Sequence, residues 1–301
     1  AQHRGVGGRR LDRGAAVLSL APDGGSGAIA VSIDGNGRRV ACDPYTGAVE
    51  AVLECARNLA CVGAEPLGLT NCLNFGNPEK PHIAWQLTRA VDGLADACRA
   101  LGVPVVGGNV SLYNEGPEGP IYPTPVVGMV GALPDPERVP GSAFREEGHV
   151  IALMGPFAPA PEGSEADKLR GRMASSLPEV DLAAQADGLA HVRRAVRSGT
   201  LASAHDVSDG GLACCVAESC IAGGIGARIE VPDEGFLFGE GPGGVVVSGA
   251  AEAIEALEGP VRRLGTVGGD SLSIEGPAAS LDLPIEAARF VFERSLSERF
   301  S

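Results

Sequence analysis

The sequence predicts an α+β protein made of two layered domains. Strand-like and helix-like stretches are mixed without the strict alternation of a doubly wound sheet. A proline-rich stretch at residues 133–140 interrupts them near the middle. The chain, at 301 residues, is long enough to bury two cores.

Residues 1–14 are rich in arginine and glycine and read as a linker or arm. Short strands are expected at residues 15–20, 28–33 and 39–42. The last two flank Asp34-Gly35-Asn36-Gly37, a hairpin-turn signal. Asp43-Pro44 then reads as an N-cap followed by proline at the first helical position. Ala48, Val52, Cys55, Leu59 and Val62 recur at helical spacing, as a helix lying on a sheet requires. A short strand at residues 66–69 leads into a polar loop, Thr70-Asn71-Cys72-Leu73-Asn74-Phe75-Gly76-Asn77-Pro78. A second helix covers residues 81–101, with Ile83, Leu87, Ala90, Leu94 and Leu101 on one face and Trp85 in the core. Gly102 caps it. The apolar run Val103 to Val106 is read as a buried strand, and it opens into a second polar loop, Gly107-Gly108-Asn109-Val110-Ser111. Tyr122-Pro123-Thr124-Pro125 enters a last strand at residues 126–130. The first domain thus spans residues 15–140.

The second domain, residues 141–301, opens with a strand at 150–154. Helices are expected at residues 182–196 and 211–222, strands at 244–248, 263–267 and 271–274, and a charged amphipathic helix at 284–300.

Composition limits the function. A formal charge of −14 argues against nucleic-acid and acidic-membrane partners, which call for a basic face. The chain has only two lysines, Lys80 and Lys168, and neither lies in a Gly-x-x-x-x-Gly-Lys-[Ser/Thr] loop. Any phosphate site must therefore use backbone N–H groups, arginine and metal. The eight cysteines include no Cys-x-x-Cys pair, so reduced thiols in a cytoplasmic protein are the simplest account. No apolar stretch is long enough to span a membrane, and the first 14 residues contain no apolar signal core. The absence of an initial methionine fits a piece of a longer polypeptide.

The two polar, glycine-bearing loops at strand ends suggest one shared site. Glycines at a strand exit let backbone N–H groups approach an anion. The Asn109 amide oxygen suits a hard cation such as Mg²⁺, and the Ser111 hydroxyl suits a ligand. A third constellation, His205-Asp206-Val207-Ser208-Asp209-Gly210-Gly211-Leu212, allows two readings. His205 and Asp206 can form an acid/base pair. Alternatively Asp206 or Ser208 caps a helix whose N-terminus helps hold an anion.

Four segments occur in order: GLTNCLNFGNPEKP at 68–81, VGGNVSLYNE at 106–115, YPTPVVGMVG at 122–131 and SAHDVSDGGL at 203–212. Together they resemble the phosphoribosylformylglycinamidine synthase family, which lies within the aminoimidazole ribonucleotide synthetase superfamily. The resemblance implies one half, the second, of a synthetase whose two halves pair their N-terminal domains into a barrel. It implies ATP contacts at Asn71 and Gly108, Mg²⁺ at Asn109 and substrate at Ser111. The implied reaction is ATP-dependent amidation of formylglycinamide ribonucleotide, with ammonia supplied by a glutaminase subunit or domain. The implied catalytic histidine belongs to the first half, so catalysis by this half alone is not expected. The chain departs from the family in having Asn71 where aspartate is usual, and in having Gly241-Pro242 after Glu240 where the family has a polar pair. Two other readings remain open: a non-catalytic half that holds a nucleotide, and a related homodimeric synthetase.

Overall fold

A computed structural model of the protein describes residues 14–20, 27–277 and 280–294. The expected arm, most of which lies in residues 1–13, and the end of the last helix fall outside them. The N-terminal region runs β1 (Ala16–Ser19), β2 (Ala28–Asp34), α1 (Gly37–Cys42), α2 (Pro44–Cys61), β3 (Glu65–Asn74), α3 (Pro81–Leu101), β4 (Val105–Ser111), a small hairpin of β5 (Glu115–Gly116) and β6 (Gly119–Pro120), and β7 (Thr124–Leu133). Its five-stranded sheet has the order β1-β2-β7-β3-β4, with β3 and β4 parallel and the other pairs antiparallel.

The second region runs β8 (Val150–Met154), α4 (Glu165–Leu169), α5 (Leu182–Ser198), β9 (Ser203–Asp206), α6 (Gly211–Gly223), β10 (Ala227–Glu230), α7 (Glu234–Phe238), β11 (Val245–Gly249), α8 (Ala251–Glu255), β12 (Val261–Val267), β13 (Ser271–Glu275), β14 (Ser280–Pro284) and α9 (Ile285–Arg294). Its seven strands follow the order β14-β13-β10-β12-β8-β11-β9.

Helix α2 joins the two regions. Asp43 accepts hydrogen bonds from the Tyr45 and Thr46 N–H groups, and Pro44 occupies the first turn, as expected. The predicted stripe is buried, but so are Thr46, Glu50, Arg57 and Asn58 on the other faces. The helix is enclosed because α3 packs on one side while α5 and β9 of the second region pack on another. Strand β8 shows the layering in the second sheet. Its residues are buried on both faces. Val150, Ala152 and Met154 face a core shared with α2 and α5, whereas Ile151 and Leu153 face a second core under α6 and α9.

Four expectations need correction. No hairpin forms at Asp34-Gly35-Asn36-Gly37: Asn36 caps α1 by accepting from the Arg39 N–H, and β2 pairs with β7 instead. The two polar loops are largely strand, since β3 continues to Asn74 and β4 to Ser111. β4 is an edge strand and is exposed rather than buried, with Val106 at 73% and Val110 at 55% exposure. Trp85 is 57% exposed on the outer side of α3 and is not a core residue.

Candidate functional site

The four residues singled out by sequence lie where β3 and β4 run side by side. Their parallel register places Asn71 opposite Gly108, Cys72 opposite Asn109 and Asn74 opposite Ser111. Side chains alternate between faces along a strand. Asn71 and Gly108 therefore share the face that carries buried Leu69 and Leu73, and Asn109 and Ser111 share the opposite, open face. One sheet edge thus presents two pairs of residues back to back.

Gly108 has a steric reason to lack a side chain. A Cβ there would lie 2.5 Å from the Asn71 carbonyl oxygen and 2.7 Å from its Oδ1. On the open face the Asn109 Nδ2 points to the Cys72 sulfur at 3.7 Å, leaving Oδ1 available as a hard oxygen donor. Among the described residues, no group of three or more His, Cys, Asp or Glu side chains could hold a metal ion. Mg²⁺ commonly keeps several waters and takes one or two protein oxygens plus substrate phosphates. Asn109 fits as one such ligand beside a phosphate, and no all-protein cage is present.

A sharp turn follows Ser111. Tyr113 has φ 62°, making it the only non-glycine residue with positive φ among the described residues. Beyond it, Asn114 and Glu115 fold back on the segment between β3 and α3. Asn114 Nδ2 donates to the Phe75 carbonyl at 3.2 Å. Glu115 accepts from Lys80 Nζ at 2.8 and 2.9 Å and from the Asn77 N–H at 3.2 Å. These contacts depress the Glu115 carboxyl, with the Lys80 hydrogen bond the largest cause. Sequence alone assigns Asn114 and Glu115 no role, because their partners Phe75, Asn77 and Lys80 lie 35 to 39 residues earlier in the chain.

The His205 constellation also differs from its reading. His205 and Asp206 end strand β9, and α6 begins five residues later behind Gly210, a left-handed cap without a side-chain hydrogen bond. Neither Asp206 nor Ser208 caps the helix. His205 Nε2 lies 3.0 Å from Glu218, and Nδ1 lies 3.5 Å from Asp206 Oδ1. Burial lowers the affinity of the imidazole for its proton, but the two carboxylates outweigh burial and raise its pKa to about 9. Asp206 faces inward, 3.9 Å from Arg57 of α2.

Arg57 belongs to a buried ionic seam between the two regions. Arg39 of α1 grips Glu50 with Nε and Nη2 at 2.5 and 2.7 Å and approaches Glu240 at 3.7 Å. Glu240 in turn accepts the N–H groups of Glu165 and Gly210, each at 2.8 Å. Asn36 donates to Asp209 at 3.1 Å. Arg39, Glu50, Glu54, Arg57, Asp209 and Glu240, with Gly241 and Pro242, line a partly open cleft of about 30 Å³. That volume suits a water or two. Burial, with help from Asp34, Asp206 and Asp209, pushes the Glu54 carboxyl to about 8 against the pull of Arg57.

Comparison with known proteins agrees with this architecture. Residues 12–133 match the N-terminal domain of the AIR synthase related proteins and residues 146–275 match the C-terminal domain. The phosphoribosylformylglycinamidine synthase subunit PurL of an Anaeromyxobacter strain is 49% identical over 279 residues, covering 85% of this chain and 36% of the relative. PurL of Moorella thermoacetica is 47% identical over 273 residues, covering 86% and 37%. The chain therefore spans well under half the length of these relatives. Among solved structures, Thermotoga maritima PurL complexed with FGAR superimposes with a TM-score of 0.77 at 19% identity, covering 91% of this chain and 47% of that one. The same protein complexed with AMPPCP gives a TM-score of 0.61 at 27% identity, covering 85% and 38%. The two matched domains together take in most of the described residues, and the chain belongs to the family of AIR synthase related proteins.

Proposed function

We propose that this chain is the second half of a phosphoribosylformylglycinamidine synthase, with residues 15–140 and 141–301 as its two domains. It takes part in the ATP-dependent amidation of formylglycinamide ribonucleotide, a step of purine synthesis, in the cytoplasm. The observation that carries the reading is the β3–β4 register, which sets Asn71 with Gly108 and Asn109 with Ser111 at one sheet edge. The identity to PurL relatives over most of the chain supports it. All eight cysteines are free thiols, which suits a reducing compartment.

In this reading Asn71 and the Gly108 backbone hold ATP, and Asn109 supplies an oxygen to Mg²⁺. Ser111 binds the ribonucleotide. When bound, Mg²⁺ offsets negative charge on the phosphoryl group being transferred, a task of electrostatics and positioning. The formamide oxygen is phosphorylated, and ammonia from a glutaminase subunit or domain then displaces phosphate. The chain contributes binding and orientation, and the first half contributes the catalytic histidine. Asn71 in place of aspartate keeps the hydrogen-bonding groups and removes a charge, which weakens any contact it makes to metal.

The test is calorimetry with ATP, with and without Mg²⁺, on the assembled synthase. Asn109→Ala with the fold retained is expected to weaken Mg²⁺-dependent nucleotide binding, and unchanged binding would overturn the assignment. The purified chain alone is expected to give no amidation when ammonia is supplied. Measurable product would show that it is not a dependent half.

A further inference from the structure

We propose that Asn114 is a positioning residue that aims the Ser111 hydroxyl outward as a hydrogen-bond donor to an anionic oxygen of the ribonucleotide. The inference rests on the reading of Ser111 as a substrate contact and adds a residue which that reading leaves without a role. A serine hydroxyl has one proton to donate and two lone pairs that can accept. Which of these faces a ligand depends on what its neighbour does.

Here the neighbour is fixed. Asn114 Nδ2 lies 2.8 Å from the Ser111 carbonyl oxygen, 3.1 Å from Ser111 Oγ and 3.2 Å from the Phe75 carbonyl oxygen. Three oxygens around one nitrogen determine the amide orientation, because a flipped amide would set Oδ1 against two carbonyl oxygens; with two hydrogens for three acceptors, the one that reaches Oγ is shared with a carbonyl. The backbone holds the group in place as well. The Asn114 N–H donates to the Phe75 carbonyl at 3.1 Å, and the Asn114 carbonyl accepts from the Ile121 N–H at 3.1 Å. Tyr113, with its positive φ of 62°, makes the tight turn that returns Asn114 to Ser111. Left-handed backbone at a non-glycine residue costs energy and is found where the surrounding structure enforces it.

With Nδ2 donating to Oγ, the serine proton remains for another acceptor. Its internal alternative is Asn114 Oδ1 at 3.3 Å, a longer contact than the 3.1 Å bond in which Oγ accepts. An anionic oxygen makes a charge-assisted bond and outcompetes a neutral amide oxygen for that proton. Aspartate at 114 would reverse the arrangement. Its side chain has no N–H to donate, and its carboxylate would draw the serine proton inward.

The experiment measures steady-state kinetics of the intact synthase carrying substitutions in this chain. Asn114→Asp is expected to raise KM for formylglycinamide ribonucleotide by about ten- to a hundredfold, the range for a lost bond to a charged group, with KM for ATP nearly unchanged. Asn114→Ala brings no charge against the two carbonyls and serves where Asn114→Asp does not fold. Combined with Ser111→Ala it completes a double-mutant cycle. Asn114→Ala is expected to raise the substrate KM when Ser111 is present and to add nothing when Ser111 is already alanine. Additive losses, or equal losses for both substrates, would mean that Asn114 only braces the turn and would overturn the proposal. A Ser111→Ala effect without any Asn114 effect would overturn it while leaving the Ser111 reading intact. No effect of Ser111→Ala would overturn both.

Discussion

Gly108 shows how a single residue joins packing to function. Its missing side chain lets the Asn71 amide lie against the β4 backbone, with 2.5 Å and 2.7 Å separating a notional Cβ from the two Asn71 oxygens. Those contacts are too short for any real Cβ, so Gly108→Ala must push β4 away from β3 or swing Asn71 out. Overpacking of this kind typically costs about 1–3 kcal/mol. The expected outcome is a lowered denaturant midpoint together with weakened ATP binding, whereas Gly107→Ala, with open space around its notional Cβ, is expected to do far less. Equal effects of the two substitutions on binding would show that Asn71 and Gly108 do not act as a unit. At this scale the sequence was informative about chemistry and misleading about geometry. Glycine and asparagine are turn residues by preference, yet here backbone pairing with β3 and β7 keeps them extended. Asn36 caps a helix rather than turning a hairpin for a related reason, because Asn-Gly suits both. In the helix that forms, the guanidinium groups of Arg38 and Arg39 bind the carbonyls of Gly163, Ser164 and Glu162, more than a hundred residues away, and Arg39 also binds the nearby Glu50.

Among the elements, α2 and α3 were the most legible. Both begin with proline at the first helical position, and α3 ends at the glycine the sequence marked. Strand β9 is not legible, since Ser203-Ala204-His205-Asp206 lacks the β-branched residues that mark a strand; it is set by pairing with β11 and by packing against α2 and α6. The charged positions of α2 are equally silent in the sequence, because their partners come from other elements: Arg57 meets Asp206 and the Val207 carbonyl of the second region, and Glu50 is held by Arg39 of α1. That seam makes a pH prediction. Glu54 has its carboxyl raised from 4.5 to about 8, so the folded state keeps a proton that the unfolded chain releases. Its contribution is most favourable below pH 4.5 and is lost as pH rises through about 8. His205 has the same sign, fully stabilising below pH 6.5 and declining as pH rises through about 9. Melting temperature is therefore expected to fall between pH ~6 and pH ~9. Glu54→Gln, which stays neutral, is expected to flatten part of that fall and to raise the melting temperature at the alkaline end by a few degrees, at roughly 2–4 °C per kcal/mol. A variant with the same pH profile as the parent would show that Glu54 is ionised and solvated in the folded protein.

At the scale of the whole molecule, the two halves of the chain present different surfaces. The second sheet is packed on both faces of β8, whereas the first sheet has helices α2 and α3 on one face only. On its open face the register sets Leu18 beside Ile29 and Val31 beside Val130, with Ile33 also pointing outward. Leu18, Ile33 and Val130 are 47%, 71% and 36% exposed, and Leu67 and Val106 nearby are more than half exposed. A contiguous apolar face of this kind is a docking surface or a source of aggregation. The edge strand β4 borders it and carries Asn109 and Ser111 toward the same side. If this face meets the homologous sheet of the first half, as the family resemblance implies, assembly and completion of the site are one event. Ile33→Lys would place a charge at the centre of that contact and, since Ile33 is exposed, is expected to leave the isolated chain as stable as before, within about 0.5 kcal/mol. In the full synthase it is expected to loosen the pairing of the halves and lower activity, and light scattering after size exclusion should show the isolated chain losing any tendency to self-associate. If Ile33→Lys leaves the activity and thermal stability of the full synthase unchanged, the open face does not meet the other half, and Ser111 faces solvent rather than a shared site.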